Sequence, residues 1–263
     1  MKIIKTFGIF ALLPLLGGCE KELDFHYHNV EPQLVIQGET TDEGTRVGLT
    51  FTTPMDEPTD TSRLRDARVQ LSDLTLGRDY ELKPDSAGFY THDIAGIPGH
   101  EYELNVERDG KRYSSRCRMR QKVEIVGMEF EWIKMPYDEV ACLKISYKDF
   151  PTVGDKYWVR VYRNGEIYSW SEMQDWNAKD GVIDLVMMTT RKNPDDPDDE
   201  RTFKEGDEIS VRICAISDEM FDYLMGLEND SNSLRMYEGD FCLGFYLASP
   251  VATASIIYRP DSI

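Results

Sequence analysis

The chain has 263 residues, with 48 acidic against 30 basic side chains and a formal net charge of −18 at pH 7. A surface this acidic repels the phosphates of nucleic acids and of anionic lipids, which excludes DNA and RNA as partners. The length is enough for one large domain or two ordinary domains, each with its own core.

The first residues have the order of a bacterial lipoprotein signal peptide. Lys2 and Lys5 supply a basic start, an apolar stretch follows over residues 9–16, and a Leu-Gly-Gly-Cys sequence ends at Cys19. The apolar stretch is too short to cross a bilayer of about 30 Å, which needs about 20 residues. We therefore predict that residues 1–18 are a cleaved signal peptide and that fatty acids such as palmitate acylate the Cys19 thiol. An ordinary secretory signal and an uncleaved apolar helix are the alternatives.

Residues 19–32 form a predicted acidic tether that ends at Pro32. Glu20, Glu22 and Asp24 follow the cysteine closely, and this acidic patch resembles the export signal that sends lipoproteins of the Bacteroidota to the outer face of the outer membrane. We therefore expect a lipid-anchored outer-membrane protein exposed at the cell surface. A tether whose charges merely keep it extended is the alternative.

Metal-binding patterns in the sequence are incomplete. His26 and His28 could share one face of a strand, but no third ligand lies near them in sequence, and His92 and His100 are isolated. The acidic run over residues 195–200 has the oxygen ligands that calcium prefers, yet it lacks the glycine at the sixth position of an EF-hand loop. We interpret it as a charged loop and predict no metal site. The run contains Asp195, Asp196, Asp198, Asp199 and Glu200.

Residues 33–121 alternate apolar and polar side chains in short runs separated by turn residues, a pattern typical of a β-sandwich. The clearest hairpin turns at the Asp-Gly pair of residues 109–110, which suits a type I′ turn. A two-residue loop there places Val106 opposite Tyr113 and Glu107 opposite Arg112. We predict an Ig-like or carboxypeptidase-regulatory-like sandwich for this range.

Residues 122–263 predict a second β-rich module with one or two short helices. The Asn-Gly pair at residues 164–165 predicts another type I′ turn. Ser217 can cap a helix over residues 218–227. The expected cross-strand pairs at the turn are Arg163 with Glu166, Tyr162 with Ile167, and Val161 with Tyr168. The expected buried stripe of the helix consists of Phe221, Leu224 and Leu227.

Three tryptophans fall within one predicted hairpin and its exit, at Trp158, Trp170 and Trp176. Strand alternation places Trp158 on the face opposite Val159 and Val161. That face is either packed between the two modules or exposed as an aromatic platform for sugar rings or peptide side chains.

Four cysteines follow Cys19, and none is in a spacing that suits zinc or an iron–sulfur cluster. Cys142 and Cys214 project from like faces of two predicted strands of the second module. If a disulfide exists, we expect it between these two residues. Cys117 shares the inward face of Tyr113, so we expect a buried free thiol there.

Several segments resemble the domain-of-unknown-function 4249 family, and the resemblance covers nearly the whole chain after the signal peptide. The resemblance implies an outer-membrane lipoprotein of the Bacteroidota, often encoded beside TonB-dependent transporters, with no established activity. The segments are residues 32–38 (PQLVIQG), 88–90 (GFY), 97–106 (IPGHEYELNV), 110–113 (GKRY), the aromatic-rich helix with Phe221, Tyr223 and Leu224, and residues 243–246 (LGFY).

The expected function is therefore that of a non-enzymatic accessory or ligand-capturing subunit of a TonB-dependent transporter. A free-standing surface binding or adhesion module is the alternative, and an enzyme of unrecognised class is a second one. No GxSxG, HExxH, P-loop or dinucleotide-binding motif is present in the sequence. We predict no catalytic residue and no cofactor site, and the sequence does not identify a ligand.

The lipidation hypothesis predicts that Cys19→Ala releases the protein from membranes or leaves it as an unprocessed precursor, because the acylated thiol is removed. Fractionation and mass spectrometry of the processed N-terminus measure this, with Cys117→Ala as the control that keeps the anchor. Stable membrane retention of a fully processed Cys19→Ala protein would contradict the hypothesis.

Overall fold

The computed structural model describes residues 31–54, 57–58, 62–134, 136, 139–175, 178–191, 202–229 and 234–260. The predicted features at Cys19, His26, His28 and residues 195–200 lie outside these ranges. The described residues are mostly in β-strands, as predicted, and they include one α-helix. No helix within this part of the chain is long and apolar enough to cross a membrane.

The first sheet has nine strands in the order β14-β7-β6-β3-β4-β5-β2-β1-β15. Its strands are β1 (Leu34–Thr41), β2 (Gly44–Phe51), β3 (Arg68–Asp73), β4 (Arg78–Pro84), β5 (Tyr90–His92), β6 (Glu101–Arg108), β7 (Lys111–Arg118), β14 (Glu238–Gly239) and β15 (Leu243–Ala248).

This sheet folds over on itself at β4, which pairs with β3 on one side and with β5 on the other. The two halves share one apolar core, to which β1 contributes Ile36, β2 Leu49, β3 Leu71 and β6 Leu104, all fully buried or nearly so. Strand alternation explains this, because every second side chain of each strand faces the opposite half. The predicted N-terminal β-sandwich is confirmed.

The predicted hairpin between β6 and β7 is confirmed in its register. Val106 pairs with Tyr113, and Glu107 pairs with Arg112. The turn residues at 109–110 have φ angles of 51° and 75°, the left-handed conformation that a type I′ turn needs.

One strand from near the end of the chain completes the first sandwich. β15 pairs in parallel with β1, so that Ile36 aligns with Gly244. A Cβ atom at Gly244 would collide with the Ile36 carbonyl oxygen, and φ there is +105°, so glycine alone fits this close approach. The Tyr246 hydroxyl lies 2.9 Å from the Thr40 hydroxyl in the core. Residues 122–263 are therefore not confined to the second module, to which the sequence analysis assigned them as a block.

The second sandwich consists of a four-stranded and a three-stranded sheet. The four-stranded sheet has the order β11-β10-β13-β16, and the three-stranded sheet has the order β12-β9-β8. The strands are β8 (Ile125–Lys134), β9 (Glu139–Lys148), β10 (Lys156–Arg163), β11 (Glu166–Gln174), β12 (Val182–Arg191), β13 (Glu208–Ile216) and β16 (Ala252–Ile257). Its core lies between the sheets and includes Leu143, Ile145, Val159 and Val211, all fully buried.

The turn at residues 164–165 is also confirmed, with φ angles of 52° and 86°. Arg163 pairs with Glu166 and Tyr162 with Ile167 as predicted, but Val161 pairs with Ser169 rather than with Tyr168. A β-bulge between Val161 and Tyr162 shifts the register by one residue. Turn chemistry alone does not predict such a bulge.

The helix α1 spans Asp218–Glu228. At the N-terminus of the helix the Ser217 hydroxyl accepts a hydrogen bond from the Met220 amide, so the predicted cap is confirmed. The predicted buried stripe is partly wrong. Leu224 is buried, but Phe221 is only half-buried and Leu227 is 47% exposed. The buried side consists of Met220, Tyr223, Leu224 and Gly226, and the helix packs against β10, β11 and β15.

The hypothesis of a Cys142–Cys214 disulfide is wrong, since both residues are free thiols. Both project away from the core of the second sandwich, but Cys142 lies on the three-stranded sheet and Cys214 on the four-stranded sheet. Outward faces of two opposed sheets point in opposite directions, so the core separates the thiols. Cys117 is free as predicted, although it is half-buried rather than buried.

The β6–β7 turn predicts that Gly110→Val lowers the free energy of unfolding by more than about 1 kcal/mol, because a β-branched residue at positive φ is strained. A Cβ atom at Gly110 meets no other atom within 4 Å, so the loss would come from backbone strain alone. Denaturant melts measure it, with Lys111→Val as a control that places valine at an exposed strand position. Equal stability of the two variants would contradict the turn assignment.

Candidate functional site

An apolar seam joins the two sandwiches. Trp158 from the outer face of β10 contacts Phe245 from the outer face of β15 in an edge-to-face pair, with ring centroids 5.5 Å apart and planes at 89°. Tyr223 of α1 lies 5.9 Å from the same Phe245 ring. The buried residues of the seam are Trp158, Cys214, Ile216, Met220, Tyr223, Leu224, Phe245, Leu247 and Val251.

Of the two predictions made for the tryptophan face, packing between the modules is the correct one for Trp158, which is 8% exposed. Trp170 is half-buried and packs against the edge of the seam. Trp176 lies outside the described residues. The sequence did not indicate what would cover Trp158, because Phe245 is distant in the chain and reaches it only through the parallel β1–β15 pairing.

A buried ion pair crosses between the sandwiches at the seam. Nη1 of Arg160 on β10 donates to Oε1 of Glu39 on β1 at 2.5 Å, and Nη2 donates to Oε2 at 3.2 Å. Nη2 also lies 3.3 Å from the Cys214 sulfur, and the guanidinium carbon lies 4.1 Å from the centroid of the Trp158 ring. Burial by itself would lower the pKa of Arg160, but the Glu39 carboxylate, together with Cys214 and Tyr162, raises it overall. Arg160 is therefore a permanent cation held between the two sheets.

Next to this ion pair, the facing sheets leave a cleft of about 670 Å³. Its β10 side presents a row of side chains across three strands, since Arg160 pairs with Trp170 on β11 and with Arg212 on β13. Its β1–β2 side presents Glu39 opposite Arg46. The cleft thus combines charged groups with an aromatic ring.

Phe89 extends the β1–β2 wall of the cleft and is held between two arginines. The guanidinium carbon of Arg46 lies 3.4 Å from the centroid of its ring, and that of Arg63 lies 3.6 Å from it. Stacking of this kind stabilises a cation without neutralising its charge. The positive charge of Arg46 therefore remains available at the cleft.

Two hydrogen-bond donors in residues that line the cleft have no partner. The indole Nε1 of Trp158 and the guanidinium Nε of Arg160 are both buried and make no hydrogen bond. Most buried polar atoms in proteins are hydrogen-bonded, and an unpartnered one costs about 1 to 3 kcal/mol. Both atoms are donors only, so each lacks an acceptor.

A separate group of carboxylates lies at one end of the second sandwich. Asp149, Asp155 and Asp175 bring their oxygens within 4.8 Å of one another. The sequence did not predict this group, because its members follow or precede three different strands. Asp149 accepts a hydrogen bond of 2.6 Å from the Tyr157 hydroxyl, and Asp175 accepts one of 3.2 Å from the Asp155 amide. Since hydrogen bonds within the chain occupy these oxygens, we assign no ion to the group.

The two histidines that are isolated in the sequence, His92 and His100, have hydrogen-bond partners in the structure. His100 Nδ1 lies 3.0 Å from the Asp73 carboxylate, and the Ile94 amide donates to His92 Nδ1 at 3.1 Å. His92 also lines the cleft between the sandwiches.

The architecture defines a mostly β protein in which two sandwiches of different strand order enclose a cleft. The chain belongs to a family of unknown function (DUF4249), whose sequence profile matches residues 20–250. The predicted resemblance to this family is confirmed. A comparison with curated proteins finds no match. Among solved structures, the chain is similar to a two-domain fibronectin type III segment of chicken tenascin, with 12% identity, a TM-score of 0.23, and coverage of 86% of this chain and 99% of that chain.

The buried ion pair predicts that Glu39→Gln lowers the free energy of unfolding by about 3 kcal/mol, since Arg160 would keep its charge without a carboxylate partner. Denaturant melts measure the loss. The matched control is Glu107→Gln, whose partner Arg112 lies 3.8 Å away in an exposed pair, and for which we expect less than about 1 kcal/mol. Equal losses in the two variants would mean that the Arg160–Glu39 pair does not join the sandwiches.

Proposed function

We propose that this chain is a non-enzymatic, lipid-anchored protein of the bacterial outer membrane that serves a TonB-dependent transporter and captures a ligand for it. Family membership alone supports only a domain of unknown function. The observation that carries the capture proposal is the cleft between the sandwiches, in which Trp158 and Arg160 each hold an unpartnered buried donor. Ligand sites are commonly clefts between packed units, lined by aromatic side chains and a few polar groups.

The protonation state of the cysteine thiols favours a binding function over covalent catalysis by cysteine. Burial raises the pKa of Cys214 to about 11 and that of Cys242 to about 12. Burial also raises the pKa of Cys117 and of Cys142. All four thiols are therefore protonated at neutral pH, whereas a nucleophilic cysteine acts as the thiolate.

The order of segments supports an anchored protein. The lipidation sequence ends at Cys19, and β1 begins at Leu34. A tether over residues 19–32 would reach roughly 45 Å if fully extended. That reach would let the acidic body lie against a membrane protein while the lipid stays in the bilayer, and it would keep the body away from anionic headgroups.

Purification of the tagged full chain from its own bacterium in mild detergent tests the accessory role. We expect a β-barrel transporter to copurify in stoichiometric amount, and we expect Cys19→Ala to reduce its recovery, because anchoring concentrates both proteins in one membrane. Recovery of the lipidated protein without any barrel partner would contradict the accessory role and favour the free-standing binding module. A turnover activity of the purified chain would favour the enzyme alternative.

A further inference from the structure

We propose that the cleft binds a ligand with a single oxyanion, a carboxylate or a phosphate ester, attached to a flat apolar body. This inference deepens the capture function proposed above and rests on it. Its basis is the set of arginines around the cleft, the two unpartnered donors in residues that line it, and the exposed apolar side chains among its lining residues.

The arginines are arranged as a site for an anion. Arg160 and Arg212 are direct neighbours across β10 and β13, and like charges in that position repel each other. Arg160 has Glu39 as its partner, but within the described residues neither Arg212 nor Arg46 has a carboxylate within ion-pair distance. The chain has 48 acidic and only 30 basic side chains, so arginines without a carboxylate partner are unexpected. Two of them on facing walls of one cleft indicate a site for an anion from outside the chain.

Two residues that line the cleft add a requirement for a hydrogen-bond acceptor. The Nε1 of Trp158 and the Nε of Arg160 can donate but not accept, and neither has a partner. An oxygen that enters between the sheets would relieve the cost of these unpartnered donors. Arginine also presents its donors in a planar fork that matches carboxylate and phosphate oxygens.

The opening of the cleft defines the rest of the ligand. Trp170 is half-buried beside Arg160, and Ile167 and Leu227 are exposed at 57% and 47%. All three side chains line the cleft, and they offer apolar surface that includes the flat indole ring of Trp170. Glu43 and Asp93 also line the cleft and are exposed, so they would disfavour a ligand that carries a second anionic group.

Three small probes test the ligand class: benzoate, phenyl phosphate, and benzyl alcohol as the uncharged counterpart. The full chain carrying Cys19→Ala allows the measurement without detergent, by ligand-detected NMR and by tryptophan fluorescence. We expect benzoate or phenyl phosphate to bind at least tenfold more tightly than benzyl alcohol. The stronger of the two anions identifies the carboxylate or the phosphate as the preferred group.

Arg212→Gln should weaken binding of the preferred anion about tenfold, the effect of losing one charge-assisted hydrogen bond. Arg112→Gln is the matched control, because it removes the same charge from the exposed β6–β7 hairpin, and it should leave the affinity unchanged. Arg46→Gln on the opposite wall provides an independent variant if Arg212→Gln fails to fold.

Each contrary result has a separate meaning. Benzyl alcohol binding as tightly as the anions would overturn the oxyanion class and leave ligand capture standing. Equal weakening by Arg212→Gln and Arg112→Gln would show that the anion binds elsewhere. If no probe binds at about 10 mM, the inference fails, while copurification of the transporter would still decide the accessory role on its own.

Discussion

The Arg160 guanidinium lies between two β-sandwiches, where burial would make its charge costly without a compensating carboxylate. Glu39 provides that carboxylate from the other sandwich through two hydrogen bonds. The pair therefore fixes the spacing between the sheets at one point, and the apolar seam around Trp158 and Phe245 closes one side of it. On the other side the sheets remain apart, and the cleft results from this asymmetry.

The chain topology makes the seam possible. After β13 the chain leaves the second sandwich, and β15 inserts beside β1 before β16 returns to it. This places Tyr246 inside the first core and Phe245 outside it. One strand thus serves two interfaces, because alternate side chains point to opposite faces. A change that moves β15 by one residue would exchange the two sets and disrupt both, so the close fit of Gly244 against Ile36 protects the register.

The local features of this fold follow from the sequence, whereas its long-range features do not. The turns at 109–110 and 164–165 depend on adjacent residues with positive φ. The cap depends on the Ser217 hydroxyl, which accepts from the amide three residues further on. Pattern alone predicts both features. The parallel β1–β15 pair joins segments more than 200 residues apart, and no local period encodes that choice. The cleft lies between the two sandwiches and depends on this pairing, so local patterns in the sequence do not predict it either.

The same limit explains the errors in the candidate residues. Strand alternation predicts the correct face for Trp158 and for Cys214. The residues that pack against them come from β15 and α1, which are distant in the chain. Arg212 and Arg46 gave no signal in the sequence, because arginines on strand surfaces are common and their proximity arises only when the two sandwiches meet.

The seam and the Arg160–Glu39 pair join the two sandwiches, so we expect them to unfold as one cooperative body. No tryptophan precedes Trp132 in the sequence, and Trp132, Trp158 and Trp170 lie in β8, β10 and β11. Tryptophan fluorescence therefore reports the second sandwich and the seam during denaturant unfolding. Hydrogen exchange of the β6 and β7 amides reports the first sandwich in the same titration. We expect the two signals to change at one denaturant midpoint with the cooperativity of a single transition. Loss of β6 and β7 protection at a clearly lower denaturant concentration than the fluorescence change would contradict it.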